Sequence, residues 1–320
     1  MSTPSTTFTE MVSSTLRNHD REIIDNVVDH NGFLRFLKAK GHIKTKGGGY
    51  EIVMPVAYQE NQTYQRYFGG DTLDIRASDV ITSVKYDWKQ IALHVTANGR
   101  ELRMNNSKEK MIDLVNARLD VAKSTAANNL SVDIYSDGAL SNQVGGLSHL
   151  ISADGTGTVG GIVAGTWTFW KNKFDEILTD ATVYANVRAA MNKQWLATTV
   201  GTESPDVIIL SHDLYTVYEG GLQDNQRYGD GTAAQLGFQA LKFKTASVIF
   251  DDNTNFGTTA ERGYFVNTKY MYLVQHPEAQ WSEGDRKTPI NQDAVVVPIY
   301  WMGNLVTTNR ARLGRIHDLA

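Results

Sequence analysis

Asn106–Leu130 reads NSKEKMIDLVNARLDVAKSTAANNL, and the rest of the chain is organised around it. Met111, Ile112, Leu114, Val115, Leu119, Ala122, Ala126 and Leu130 recur at the period of one helix face. Asn106, followed three residues later by Glu109, resembles a capping box with Asn in the Ser/Thr place. At a rise of ~1.5 Å per residue such a helix spans roughly 35 Å, longer than the usual globular helix. It reads as a structural beam.

Upstream of the beam, residues 1–48 hold apolar residues in short clusters: Phe8, Met11, Val12; Ile23, Ile24, Val27, Val28; Phe33, Leu34, Phe36, Leu37. The last cluster predicts a short helix from Asn31 that stops at Gly41. These clusters are too small to bury themselves on one another, so the segment is expected to lie along something else, as an arm. Tyr50, Ile52, Met54 and Val56 then alternate with Glu51, Val53 and Pro55, and strand patterns resume over 81–86 and 90–96. Between them, 58–70 is polar and dotted with aromatics, without a core period. The reading there is a surface loop or a long two-stranded excursion, which is marginal alone and needs a neighbour.

Downstream, Asp137-Gly138 closes the beam and a Gly-rich stretch runs to Gly165. A helix near 179–198, a buried strand 206–210 and a helix from Ser211 to about Gln223 follow, with Ser211 as expected N-cap and Asp213 in the first turn. Short strands are expected at 240–244, 247–250, 263–266 and 270–274. The terminal AVVVPIYWMGNLVTTNRARLGRI reads as strands of one sheet, with Pro298 at an edge or bulge.

The chain has 320 residues, 41% hydrophobic and 21% charged, with 31 Lys and Arg against 35 Asp and Glu, a net charge of −4. Its mass is 35.5 kDa and its pI about 6.1. A chain of this size can bury about three-quarters of its unfolded surface, so a real core is available. Composition excludes disorder, collagen and coiled coil. The mildly acidic balance argues against a protein whose main task is gripping nucleic-acid phosphates. With no cysteine, disulfides, thiolate metal sites and thiol nucleophiles are out, which fits a reducing compartment. The N-terminal MSTPSTTFTEMVSST lacks signal-peptide features, and the longest apolar run, 294–302, is about half a membrane span. Sequons at Asn61, Asn105 and Asn129 carry no weight in a protein that stays inside the cell.

Chemical motifs are sparse. Gly155-Thr156-Gly157-Thr158-Val159-Gly160 matches G-x-G-x-x-G, and Asp175 lies 20 residues after its first glycine. The dinucleotide mechanism needs a helix to begin in the glycines, whereas TWTFW follows, so a surface loop is the better account. The eight histidines (19, 30, 42, 94, 149, 212, 276 and 317) never reach metal-ligand spacing. Asp251-Asp252-Asn253 suits an Asx turn better than a cation site. Ser211-His212-Asp213 are consecutive and cannot form a triad with one another. No catalytic, cofactor or metal site is expected.

The collinear set GGYEIVMPVAY (48–58), YDWKQIALHVTANGRE (86–101), NSKEKMIDLVNARLDVA (106–122), YSDGALSNQVGGLSHLIS (135–152), TWTFWKNKF (166–174), SHDLYTVYEGGLQDNQRY (211–228), GFQALKFKTASVIFDDN (237–253) and YFVNTKYMYL (264–273) resembles the major capsid proteins of tailed bacteriophages, the Hong Kong 97-type fold. The resemblance implies an α+β chain divided into an N-arm at 1–48, an extended E-loop with its return strands at 49–104, a P-domain at 105–140 and 276–320, with spine helix and long β-sheet, and an A-domain at 141–275. It implies a non-enzymatic shell protein that assembles with itself as pentamers and hexamers around a double-stranded DNA genome, held without sequence-specific binding. In that family the E-loop lies over a neighbour and the N-arm reaches across another, so Tyr58, Gln59, Tyr64, Arg66 and Tyr67 would be inter-subunit groups. The implied partners include a portal and a decoration protein. No membrane is involved, and the implied location is the virion, with assembly in the host cytoplasm.

Two departures from the family qualify the expectation. Only about 48 residues precede the E-loop, which suggests a separate scaffolding protein in place of a built-in one. From Tyr50 to Asp87 the only lysine is Lys85, away from the expected tip, so no lysine–asparagine crosslink is expected. The alternatives are an encapsulin-type compartment, which would be marked by a cargo-peptide groove, and a hydrolase with scattered carboxylates. Loss of activity on changing Asp251 or Asp252 would mark the hydrolase.

Overall fold

The computed structural model describes residues 31–99, 108–177, 181–222, 241–251, 256, 262–283, 287 and 291–318. Its first element is a short helix, α1 (Gly32–Ala39). Asn31 caps it, accepting the Leu34 N–H at 3.0 Å, and Gly41 follows at φ +72°, a conformation glycine adopts freely. Phe33, Leu34, Phe36 and Leu37 are buried in the chain's own core, and Asn31 Nδ2 donates to Ser131 Oγ at 2.6 Å. The last apolar cluster of 1–48 thus finds cover on its own chain; the clusters within 1–30 lie outside the described residues.

The chain continues through β1 (Ile43–Thr45), β2 (Glu51–Ala57), β3 (Ile81–Asp87) and β4 (Lys89–Asn98) to the beam, α2 (Lys108–Tyr135). At 28 residues, α2 is about 42 Å long. The proposed cap at Asn106 lies outside the described residues. Leu119, Lys123, Ala126, Ala127, Leu130, Ser131, Ile134 and Tyr135 are buried, a stripe at helical spacing. Phe33, Leu34, Phe36 and Leu37 of α1 share one core with this stripe, and the Asn31–Ser131 bond joins the two elements.

A short helix α3 (Leu147–Leu150) leads to β5 (Thr158–Val159) and β6 (Ile162–Val163). These two form a hairpin, turning on Gly160 and Gly161 at φ +60° and +77°. Two successive positive φ values are what a tight hairpin turn of the primed kind demands. The G-x-G-x-x-G match is thus a hairpin.

The remaining elements are β7 (Lys173–Glu176), α4 (Tyr184–Thr198), β8 (Val207–Leu210), α5 (His212–Leu222), β9 (Leu241–Phe243), β10 (Ala246–Phe250), β11 (Arg262–Val266), β12 (Met271–Glu283), β13 (Ala294–Thr307) and β14 (Gly314–His317). They build two main sheets. A six-stranded sheet has the order β7-β14-β11-β8-β10-β9, and a four-stranded one β1-β12-β13-β4. In the first, Val207, Ile209, Ile249, Tyr264 and Val266 enter the core shared with α1 and α2. Their alternates Ile208, Leu210, Val248, Phe265 and Ile316 pack with side chains of α4 and α5. Burial on both faces explains the unbroken apolar run VIIL.

Three local outcomes differ from the sequence reading. Strand β14, grouped by sequence with 276–320, pairs with β11 and β7 in the six-stranded sheet, beside strands from 141–275. Ser211 Oγ accepts the Arg262 N–H at 3.3 Å, so its hydroxyl serves the neighbouring strand. Strand β13 runs between β12 and β4, yet its pairing with β12 ends at Ile299. Val296 N donates to Lys287 O on that flank, and Pro298 N, two residues on, faces the same side in the gap between. The missing donor falls where the ladder is already interrupted.

Candidate functional site

Strands β2 and β3 pair antiparallel from Glu51↔Asp87 to Ala57↔Ile81 and carry the segment 58–80 at their far end. One face of this ribbon is apolar and covered: Ile52, Val56, Val84 and Tyr86 are buried. What covers it includes the β5–β6 hairpin. Lys85 N donates to Gly160 O at 3.0 Å, and a Cβ on Gly160 would come within 3.0 Å of Val84 Cβ. Glycine is needed there for both backbone angle and clearance.

The root of the ribbon is pinned by Tyr86 and Trp88. Tyr86 Oη donates to Thr307 O at 2.9 Å and accepts from Thr307 N at 3.3 Å, tying β3 to the end of β13. Trp88, alone between β3 and β4, donates its indole N–H to Gly49 O at 3.1 Å and meets the His276 ring edge-on at 5.7 Å. Beneath, the fully buried Arg310 donates to Leu150 O (2.6 Å), Ser152 Oγ (2.9 Å) and Thr156 O (2.8 Å). Burial lowers its pKa to about 10, against the opposing effect of Tyr86 and Asp154, and at that value the guanidinium stays charged at neutral pH.

Beyond the root, 58–80 holds its path with local hydrogen bonds. Tyr58 N donates to Val80 O (3.1 Å) and Gln59 Nε2 to Asp79 O (2.5 Å). Asn61 Oδ1 accepts from Thr63 N (2.9 Å) and Gln65 Nε2 donates to Thr72 O (3.2 Å). The turn Phe68–Asp71 closes with Asp71 N to Phe68 O (3.0 Å) and Phe68 N to Asp71 Oδ2 (2.8 Å). Arg76 pairs with Asp74 at 2.8 Å and holds its carboxyl below the usual range. These bonds fix a backbone and leave large apolar side chains outside. Phe68 is 85% exposed and Ile75 93%, alongside exposed Tyr64, Tyr67 and Leu73. Each such group withholds about 1.5–3 kcal/mol of burial energy, and an uncovered cluster of this kind marks an interaction surface.

The five residues singled out by sequence fall in two places. Tyr64, Arg66 and Tyr67 project into solvent on the outer part of the segment. Tyr58 and Gln59 sit at its root. The Tyr58 ring packs edge-on to Trp167 and tilted to Phe169, 6.1 Å from each, and this desolvation together with Asp79 raises its phenol pKa. A groove of about 380 Å³ opens there between Tyr58, Ile81, Ile162, Trp167 and Phe169. Phe68 and Ile75 were missed by sequence reasoning. The available signal was Phe68 beside Gly69-Gly70, and Leu73 and Ile75 in a polar stretch too short to give them a core to face.

Elsewhere the candidate chemistry resolves into structure. Asp251 Oδ2 accepts the Tyr135 hydroxyl at 2.6 Å, joining the end of α2 to the six-stranded sheet; Asp252 and Asn253 lie outside the described residues. Among the described residues no three His, Asp or Glu side chains gather as a metal site requires. No helix among them is long and apolar enough to cross a membrane. Burial lowers the pKa of His42, His149 and His317; it keeps them neutral at pH 7.

No family model matches the sequence, and no curated protein does. Solved structures do. The Cyanophage A-1(L) capsid asymmetric unit superposes with a TM-score of 0.59 at 15% identity, over 86% of this chain and 89% of that one. The Mycobacterium phage Adephagia structure gives 0.55 at 11%, over 92% and 90%. The capsid of the native GTA particle gives 0.54 at 11%, over 88% and 89%. The chain therefore shares, along nearly its whole length, the fold of phage capsid subunits.

Proposed function

We propose that this protein is the major capsid protein of a tailed bacteriophage, a structural subunit that assembles with itself into a closed icosahedral shell around double-stranded DNA. The observation that carries the reading is the projecting ribbon. A chain with a capsid-subunit fold presents, on hydrogen-bonded but uncovered backbone, a row of aromatic and aliphatic side chains that only another molecule can cover. In this reading 49–104 is the E-loop, lying over a neighbouring subunit, and Tyr64, Arg66, Tyr67, Phe68 and Ile75 make the contact. Tyr58 and Gln59 act indirectly, by fixing the angle at which the loop leaves the body. Residues 105–140 and 276–320 form the P-domain and 141–275 the A-domain, with β14 crossing between them. The same reading groups the subunits in pentamers and hexamers and gives the particle a separate scaffolding protein, a portal and a decoration protein, with assembly in the host cytoplasm. Many modest contacts of this kind add through multivalency, which suits a chain without covalent staples.

Electron microscopy of the purified full-length protein, alone and with its phage's scaffolding protein, tests the proposal. Five- and six-membered rings or closed shells are the expected result. A protein that stays monomeric at high concentration in both settings, with 58–80 resistant to protease, would overturn it.

A further inference from the structure

From Asn31 to Tyr50 the chain carries five basic residues, Arg35, Lys38, Lys40, Lys44 and Lys46, and no Asp or Glu, in a protein whose 35 acids outnumber its 31 bases. The run covers the C-terminal end of α1 and the whole of β1, the outer strand of the four-stranded sheet. Lys38, Lys40 and Lys44 are exposed and Lys46 is half-buried. Side chains two apart on an extended chain share a face, which places the stems of Lys44 and Lys46 about 6.7 Å apart. Lys40 is the C-cap of α1, four residues before Lys44. His42 is held below its ordinary pKa by burial, against the opposing effect of Asp206, and both Lys44 and Lys40 add to the lowering. Asp206 is itself taken up by the N–H and hydroxyl of Thr268.

Lys40, Lys44 and Lys46 pair with no carboxylate among the described residues. Their ammonium groups lie 5.5 Å from the Phe36 ring, 3.5 Å from the Tyr272 ring and 2.8 Å from Val53 O, respectively. A lysine at a helix C-terminus suits the helix dipole, and a lysine on an edge strand discourages strand addition. Each of those roles accounts for one or two positions; neither accounts for a 20-residue stretch emptied of acids.

We propose that the lysine face of residues 38–46 contacts the phosphate backbone of nucleic acid without reading sequence. The inference rests on the shell reading, in which a packaged duplex is the polyanion the protein meets. Lysines are point charges on flexible stems, lacking the fork with which arginine grips a carboxylate, so a run of them suits a repeating array of phosphates better than an acidic peptide. The acidic excess over the rest of the chain repels the duplex, which keeps the contact local and readily released.

The test compares full-length wild type, K40Q/K44Q/K46Q and K40R/K44R/K46R, after thermal melting confirms equal stability of the subunits. Binding of a short random-sequence duplex to dissociated subunits is followed by fluorescence anisotropy across a range of salt. Each phosphate contact contributes about 0.9 to the slope of log K against log salt. The glutamine variant is therefore expected to lose about 2.7 from that slope, with the arginine variant retaining it. An unchanged slope, no measurable duplex binding by wild type, or tighter binding to polyglutamate than to duplex would each overturn the proposal. Microscopy of the same preparations separates the two readings: shells with an unchanged slope overturn the phosphate contact alone, and a shell-less wild type with the expected slope change overturns the shell alone.

Discussion

Helix α1 and the segment 58–80 begin as the same kind of sequence: a few large apolar residues between polar stretches, too few to bury themselves. The structure treats them in opposite ways. Phe33, Leu34, Phe36 and Leu37 vanish into the subunit's own core, whereas Tyr64, Tyr67, Phe68 and Ile75 stay outside. Two features separate the cases. The first cluster has helical period and a cap at Asn31, so its side chains leave on one face, and that face enters a core that Ala126, Ala127 and Leu130 of α2 also line. The second has neither period nor, among the described residues, a surface that receives it. An uncovered cluster is therefore informative only after the covered one has been accounted for.

The sharpest way to break this contrast is Phe36→Ala. Removing a fully buried aromatic costs about 3–5 kcal/mol, which urea denaturation of the dissociated subunit would read directly. A loss near zero would mean that α1 is not docked in solution. The counterpart is F68A/I75A. Since neither side chain is buried, subunit stability should move by no more than about 0.5 kcal/mol, while the concentration needed for assembly should rise roughly 10- to 100-fold, measured by sedimentation. A destabilised subunit with unchanged assembly would reverse the roles given to the two regions.

A smaller effect belongs to Asn31→Ala, which deletes both the cap to Leu34 and the bond to Ser131. A loss of about 1–2 kcal/mol is expected, again by denaturation and with the loop unaffected. The smallest concerns pH. His42, His149 and His317 have their folded pKa values lowered chiefly by burial, so the unfolded chain binds more protons as the solution acidifies. Their contribution is complete above the unfolded value of ~6.5 and is lost as pH falls through that value toward the lower folded ones. Melting temperature should decline from pH 7 to 5 and decline less in His317→Gln. Residues 58–80 contain no histidine, so amide exchange there should follow only the ordinary pH dependence of exchange chemistry.

The order of elements was legible in the sequence because long-range resemblance and local period agreed: the beam, the α1 helix, the VIIL strand and the ribbon pair all appear where residue patterns place them. What the pattern could not show was which surfaces meet. The core that α1 enters includes Ala126, Ala127 and Leu130, about 95 residues away, and nothing local to Phe33–Leu37 announces it. The short β14, reading GRIH, looks half polar and finds its place only by pairing with β11 and β7. Trp167 and Phe169 could be read as aromatic but not as the wall against which Tyr58 stands. At the candidate interface, sequence identified the segment and three of its projecting residues, and passed over Phe68 and Ile75, whose significance is purely that nothing covers them.

Trp88 is the single residue between β3 and β4, and its indole is held by Gly49 and His276. Because Ile52, Val84 and Tyr86 are buried and Tyr86 is tied to Thr307, the β2–β3 pair is fixed to the body. In the shell reading, the give that lets identical copies meet flatter or more curved surroundings falls instead to 58–80, where the hydrogen bonds are local and the apolar side chains uncovered.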